Sequence, residues 1–192
     1  MRVLLLGAEG YVGEHLFDLF ELRNYEVMRV TRSIVDFDSP NVSVKFENLL
    51  DTFEPHVVIN AIGGIDSGVD ANITKLFNSI LLPTFSLFRY YSRHKDSKSA
   101  VIYILGSTAA GEPRVNYPFY ASLKYAEVGL TRSAEEIFVG SQIEWRMLMV
   151  PRLAGGLADN SNEKNSLRAT KDEKLESIAD TILRDLETIE KR

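Results

Sequence analysis

Short unbroken apolar runs alternate along this chain with longer stretches in which apolar residues recur every three or four positions. Val3-Leu4-Leu5-Leu6, closed by Gly7, has the pattern of a strand buried on both faces. Behind it Val12, Leu16, Leu19 and Phe20 keep helical spacing, with Glu14, Asp18 and Glu21 on the opposite face. Glu26 to Thr31 reads as a second strand, so the chain opens with a βαβ unit and parallel strands. Only one helix fits between Thr31 and Val57. Its predicted start has Ser39 as N-cap and Pro40 at the first helical position, with Val42, Phe46, Leu49, Leu50 and Phe53 inward. A parallel strand at Ile34-Val35 would need a crossover of about a dozen residues, and only two separate it from Thr31. That strand is expected to be missing, very short or irregular.

The alternation continues with a strand at His56–Ala61 ending in Gly63-Gly64, then one long helix from about Ala71 to Tyr91 crossed by Pro83. A strand at Ala100–Gly106, a helix from about Tyr117 to Phe138 and a strand at Glu144–Val150 come next. Asp159 to Lys174 turns polar and reads as a mobile loop, before a last amphipathic helix carrying Leu175, Ile178, Ala179, Ile182, Leu183 and Leu186. With no repeat or linker, residues 1–192 read as a single α/β domain, a doubly wound parallel sheet in three αβα layers.

Composition narrows the chemistry. The 192 residues contain no cysteine, which removes disulfides, thiolate metal sites and cysteine nucleophiles. His15, His56 and His94 have no metal-ligand spacing, so no metal is expected, and His15 falls on the polar side of its helix as a solvated residue. The net charge of −5 argues against a broad attraction to nucleic acid or anionic membrane. No apolar run approaches the roughly 18 residues of a membrane span, and the start is too short for a signal peptide, so a cytoplasmic protein is expected. Catalysis, if present, must then use Ser, Tyr, Lys, Asn or a bound cofactor.

Gly7, Gly10 and Gly13 stand between the first strand and its helix, with Glu9, Tyr11 and Val12 among them. At such a turn, backbone N–H groups and the helix dipole favour an anion, and absent side chains let a pyrophosphate approach. The spacing is G-x-x-G-x-x-G rather than G-x-G-x-x-G, and glycines there also serve tight packing. Context favours phosphate binding in a Rossmann-like fold. Thr31, Arg32 and Ser33 follow the second strand, where NAD sites generally carry an acid and an arginine suits a 2′-phosphate. NADP(H) is therefore favoured over NAD(H); the alternative reading makes Arg32 a solvated loop residue, with Asp36 or Asp38 reaching round to a ribose.

Tyr120 and Lys124 lie one helical turn apart on one face. A phenol titrating near 10 is a poor acid–base catalyst at neutral pH unless its anion is stabilised. An ammonium at ~4 Å contributes about 4 kcal/mol at an effective dielectric of 20. With 8 Tyr and 9 Lys, roughly 0.4 Y-x-x-x-K pairs are expected by chance. Requiring a serine 13 positions earlier, as Ser107 is, lowers that to about 0.03, which makes the constellation specific.

On these residues, with Asp36, Asn60-Ala61-Ile62-Gly63 and Asn78, the chain resembles a short-chain dehydrogenase/reductase over residues 1–155. The resemblance implies that Ser107 hydrogen-bonds a substrate carbonyl (a role Thr108 could also take) and that Tyr120 moves its proton. It implies that Lys124 assists the tyrosine and holds the nicotinamide ribose, and that Asn78 anchors a water in the proton relay. Asp36 would lie near the adenine, and Asn60, Ala61, Ile62 and Gly63 beside the cofactor. Pro151, after the last strand, is the remaining cofactor-binding candidate. The glycine spacing is that of the family's extended, nucleotide-sugar branch, yet the chain beyond residue 155 does not read as that branch's substrate domain. A missing helix after the second strand is similar to reductases that make deoxysugars.

The expected activity is NADP(H)-dependent reduction of a carbonyl, or oxidation of the alcohol, on a small or sugar-like substrate. The alternatives are a nucleotide-sugar epimerase or dehydratase, and a non-catalytic NADP-binding scaffold or redox sensor. Residues 151–175 form the expected substrate region, with walls from the Gly64–Asp70 turn, the Ala109–Pro118 loop and the Gly155–Thr170 segment. The apolar helices near 71–91 and 117–138 are the expected surfaces of a homo-oligomer, a homodimer being the simplest.

Overall fold

The central strands read as unbroken apolar runs because helices cover both faces of the sheet. In β1 (Arg2–Leu6), Leu4 and Leu6 enter the core on one side while Val3 and Leu5 enter the core on the other. The alternation repeats in β3 (Val57–Asn60) and β4 (Ala100–Ser107), where Val58, Ile102 and Ile104 face the first core and Val57, Ile59 and Val101 the second. A computed structural model describes residues 1–64, 70–111, 114–151, 153 and 171–190.

Five parallel strands run in the order β2-β1-β3-β4-β5, with β2 at Glu26–Val30 and β5 at Ile143–Val150. On one face lie α1 (Tyr11–Leu22) and α6 (Lys171–Ile189). On the other lie α2 (Val42–Phe53), α4 (Leu82–Arg93) and α5 (Pro118–Ile137), with α3 (Ile73–Ile80) packed against α5. The result is a single-domain, three-layer Rossmann-like α/β fold, as the pattern predicts. Among the described residues no helix is long and apolar enough to cross a membrane.

The doubtful strand after β2 is absent. Thr31 turns the chain instead, its carbonyl accepting from the N–H groups of Ile34 and Val35. Val35 and Phe37 then bury themselves beside Phe46 of α2, which secures the connection without any ladder.

Four sequence expectations need correction. Helix α2 begins two residues after the predicted Pro40, with Asn41 as N-cap, because Ser39 is used in a turn that its carbonyl closes with the Val42 N–H. The long helix expected over 71–91 is two, broken at Leu81. Pro83 has no N–H to continue the first helix, so it opens α4 instead. The polar stretch expected to be loop through Lys174 is already helical from Lys171, and its residues 159–170 lie outside the described residues. His15 is not simply solvated, since α6 covers α1 and brings Glu176 Oε1 to 3.2 Å from His15 Nε2.

A polar clasp holds α6 on the sheet. Tyr103 of β4 donates to Asp185 at 3.0 Å, and Arg146 of β5 pairs with Asp185 at 2.7 Å and Glu144 at 2.6 Å. Burial pushes the Tyr103 phenol up, so it stays a donor. Leu175, Ala179, Ile182, Leu183 and Leu186 supply the apolar side of that contact, all buried.

Candidate active site

The carboxyl ends of β1, β3 and β4 open into one cavity of about 720 Å³. After β1, Gly7 adopts φ +75°, and a Cβ there would sit 2.8 Å from the backbone of Ala61 and Ile62. Only glycine combines that φ with so close an approach. The Gly10 N–H donates to Gly7 O at 2.9 Å, and Gly10 starts α1 without a side-chain cap. A Cβ at Gly13 would overlap the Gly7 carbonyl oxygen, so the helix and turn are packed backbone to backbone. The first-turn N–H groups of α1 thus stand at the cavity mouth with the positive end of the helix dipole behind them. That arrangement fits a pyrophosphate.

The Thr31–Asp38 connection walls a second part of the cavity. Thr31 Oγ1 and Ser33 Oγ are 2.8 Å apart. Arg32 Nε lies 4.0 Å from Asp36 Oδ1, with both side chains exposed, so the pair contributes little and leaves the guanidinium available. Asp36 Oδ1 accepts from the Asp38 N–H at 3.1 Å, closing a tight turn.

The third part lies between β4 and α5. Ser107 is the last residue of β4, and its oxygen accepts from the Ala109 N–H at 3.1 Å, which leaves its own hydrogen for another acceptor. Tyr120 and Lys124 lie one turn apart on α5 and both line the cavity. Lys124 is nevertheless 3% exposed. Its ammonium donates to Glu127 Oε2 at 2.7 Å and to Leu105 O at 3.3 Å. Glu127 Oε1 accepts from Thr84 at 3.0 Å, Thr84 accepts from the Asn60 amide at 3.0 Å, and Asn60 Oδ1 accepts from the Ile62 N–H at 3.2 Å. Burial holds the Glu127 carboxyl above the usual carboxylate range, opposed by the Lys124 charge and by its bonds to Lys124 and Thr84.

Of the residues singled out in the sequence, the cavity gathers Gly7, Glu9, Gly10, Tyr11, Val12, Thr31, Arg32 and Asp36. It also gathers Ala61, Ile62, Gly63, Asn78, Ser107, Tyr120, Lys124 and Pro151. Gly13, Ser33 and Asn60 do not line it. Gly13 is buried under the turn, Ser33 meets Thr31, and Asn60 is 1% exposed and braces the strand end from behind. Asn78 reaches the wall, but its amide donates to Asp38 at 2.9 Å, while the bonds of Lys124 go to Glu127 and Leu105. Sequence reasoning missed Glu127 and Thr84 altogether. It also missed the lining residues Phe37, Ser79, Tyr117 and Leu153, and Arg114 lines the cavity as well. Most of the expected substrate region, with 65–69 and 154–170, lies outside the described residues.

Comparison with curated proteins gives no match. Among solved structures, the chain is similar to ElxO with NADP bound, at 16% identity and a TM-score of 0.76, over 94% of this chain and 89% of that one. It is similar to a short chain dehydrogenase from Burkholderia cenocepacia in complex with NADP, at 13% identity and a TM-score of 0.74, over 92% and 83%. A short chain dehydrogenase/reductase family oxidoreductase from Brucella ovis, with a partially ordered NAD, matches at 16% identity and a TM-score of 0.69, over 95% and 91%. At these identities the likeness shows the fold. The family model described as the NAD dependent epimerase/dehydratase family matches residues 3–130, two thirds of the sequence and all of the glycine turn, Ser107, Tyr120 and Lys124. The chain therefore belongs to the NAD dependent epimerase/dehydratase family, and its glycine, serine, tyrosine and lysine pattern resembles that of short-chain dehydrogenase/reductases.

Proposed function

We propose that the protein is an NADP(H)-dependent oxidoreductase that reduces a carbonyl, or oxidises the corresponding alcohol, on a small or sugar-like substrate. The observation that carries this reading is the meeting of three elements in one cavity: an anion-binding glycine turn, a loop bearing Arg32, and the Ser107, Tyr120 and Lys124 set. When bound, the nicotinamide supplies hydride to the carbonyl carbon or accepts it from the alcohol.

The protein's own groups do the rest. Backbone N–H groups of the glycine turn hold the pyrophosphate, and Ala61, Ile62, Gly63 and Pro151 line the cofactor's path. Arg32, with the Thr31 hydroxyl that Ser33 braces, takes the 2′-phosphate, and Asp36 meets the adenine. Ser107 donates its hydrogen to the substrate oxygen. Tyr120 gives that oxygen a proton in reduction and takes it back in oxidation. An ammonium has three N–H groups, and Lys124 commits two of them to Glu127 and Leu105. The third remains for the nicotinamide ribose. The substrate lies toward Tyr117 and Leu153.

A side-by-side titration with NADPH and NADH tests the reading. NADPH is expected to bind about tenfold tighter or better, and Arg32→Ala to erase the difference. A preference for NADH would shift the ribose contact to Asp36. Binding of neither would overturn the proposal. The family model's own description favours a second reading, an epimerase or dehydratase, which nucleotide retained through purification would support. Binding without turnover on a panel of aldehydes, ketones and quinones would instead identify a scaffold or redox sensor.

We also propose a homo-oligomer through α3, α4 and α5, whose outer surfaces leave Ile73, Phe85 and Tyr125 between 41% and 51% exposed. A purely monomeric species in sedimentation equilibrium would remove this proposal.

A further inference from the structure

We infer that Glu127 is a positioning residue for this site: it anchors the Lys124 ammonium from behind and sets the pH at which the Tyr120–Lys124 unit releases a proton. The inference rests on the reading of Tyr120 and Lys124 as the proton-handling pair.

Burial makes Glu127 unusual. A lysine and glutamate three residues apart on a helix normally form a solvated pair worth little. Here the side chains are 4% and 1% exposed, and the N–O distance is 2.7 Å. Both carboxylate oxygens accept from side-chain donors: Lys124 at one oxygen, and Thr84, itself accepting from Asn60, at the other. Thr84 has spent its single hydrogen on Glu127, and an amide does not relay protons at neutral pH. The chain is thus an anchor rather than a proton wire. Its far end also fixes the cavity, because Asn60 holds the Ile62 N–H in the Ala61–Gly63 segment. Pro83 is part of the reason it exists, since breaking the helix there places Thr84 in the first turn of α4.

The sign of the effect follows from charge. Lys124, on α5, is the charged group facing Glu127 among the described residues. The packed elements α4, β3 and β4 contribute the neutral Thr84, Asn60 and Leu105 carbonyl. Taking away the negative charge while Lys124 keeps its proton makes proton loss from Tyr120 easier, so the tyrosinate midpoint falls; a midpoint that rises instead would mean that Lys124 gives up its proton first and would overturn the inference.

The test is an ultraviolet titration of tyrosinate, recorded as the difference between each protein and its Tyr120→Phe counterpart, without cofactor or substrate. Glu127→Gln keeps the side-chain shape and is expected to lower the midpoint by about one pH unit or more. Glu127→Asp keeps the charge but draws it back by one methylene, so a smaller shift in the same direction is expected. That variant carries the test if Glu127→Gln does not fold. Midpoints equal to wild type in the folded variants would overturn the inference, because a merely structural role changes stability and leaves the titration in place. Failure of the wild type to bind a dinucleotide would overturn the proposed function instead, and the tyrosinate readout would still stand.

Discussion

Replacing Tyr120 with phenylalanine is expected to cut turnover by a factor of about 100 or more while cofactor affinity stays within about twofold. The ring sits in the first turns of α5, packed with Leu123 and Phe119 against Ala71, Leu76 and Ile80. Phenylalanine preserves those contacts, so the substitution removes the hydroxyl and little else. Lys124 does not depend on that hydroxyl for its place, because Glu127 and the Leu105 carbonyl hold it. The two roles separate in the measurement. Single-turnover rates report the proton donor, and fluorescence titration with NADPH reports the pocket. A loss of affinity parallel to the loss of rate would mean that Tyr120 binds rather than reacts. Unchanged turnover would remove it as the acid.

Substituting alanine for Gly13 is expected to destabilise the fold by about 3 kcal/mol or more and to abolish dinucleotide binding with it. The new Cβ would overlap the Gly7 carbonyl oxygen and lie 2.8 Å from Ala8 Cα and 2.9 Å from the Gly7 carbonyl carbon. All three are backbone atoms of the turn, so no side chain can swing aside. Relief requires α1 to lift from β1, which pulls Leu16 and Phe20 from the core where both are fully buried. Gly129→Ala in α5 is the control. Its Cβ meets nothing within 4 Å, and alanine is the better helix former, so a gain of about 0.5–1 kcal/mol is expected. Urea unfolding of the two variants measures the contrast directly. A Gly13→Ala protein with the wild-type midpoint would contradict the packing of helix on turn.

What the sequence made legible was whatever local pattern controls. Continuous apolar runs marked β1, β3 and β4, since a strand covered on both faces needs no polar alternation. Ser107, Tyr120 and Lys124 stood out because their spacing is fixed by a strand end and one helical turn. Boundaries and long-range partners were harder to read. The apolar periodicity runs straight through Leu81, so the break between α3 and α4 rested on Pro83 alone, which helices also tolerate as a kink. Glu127 was invisible because a Lys–Glu pair at helical spacing reads as surface charge until the burial of that face is known. Asn60 and Asn78 were placed by analogy of position. Their actual partners, Thr84 and Asp38, lie 24 and 40 residues away, a separation that no local rule spans.

The connection from Thr31 to Asn41 takes the place of a strand and its crossover, and this divides labour within a few residues. Val35 and Phe37 are 4% and 8% exposed and nail the segment to α2, while Arg32 and Ser33 before them and Asp38 after them face outward. None of these outward positions belongs to a ladder. Exchanging them therefore disturbs no strand register and empties no core site. On the proposed reading of Arg32, the choice among dinucleotides can therefore drift, or be redesigned, at almost no cost to folding, so long as the two apolar anchors stay.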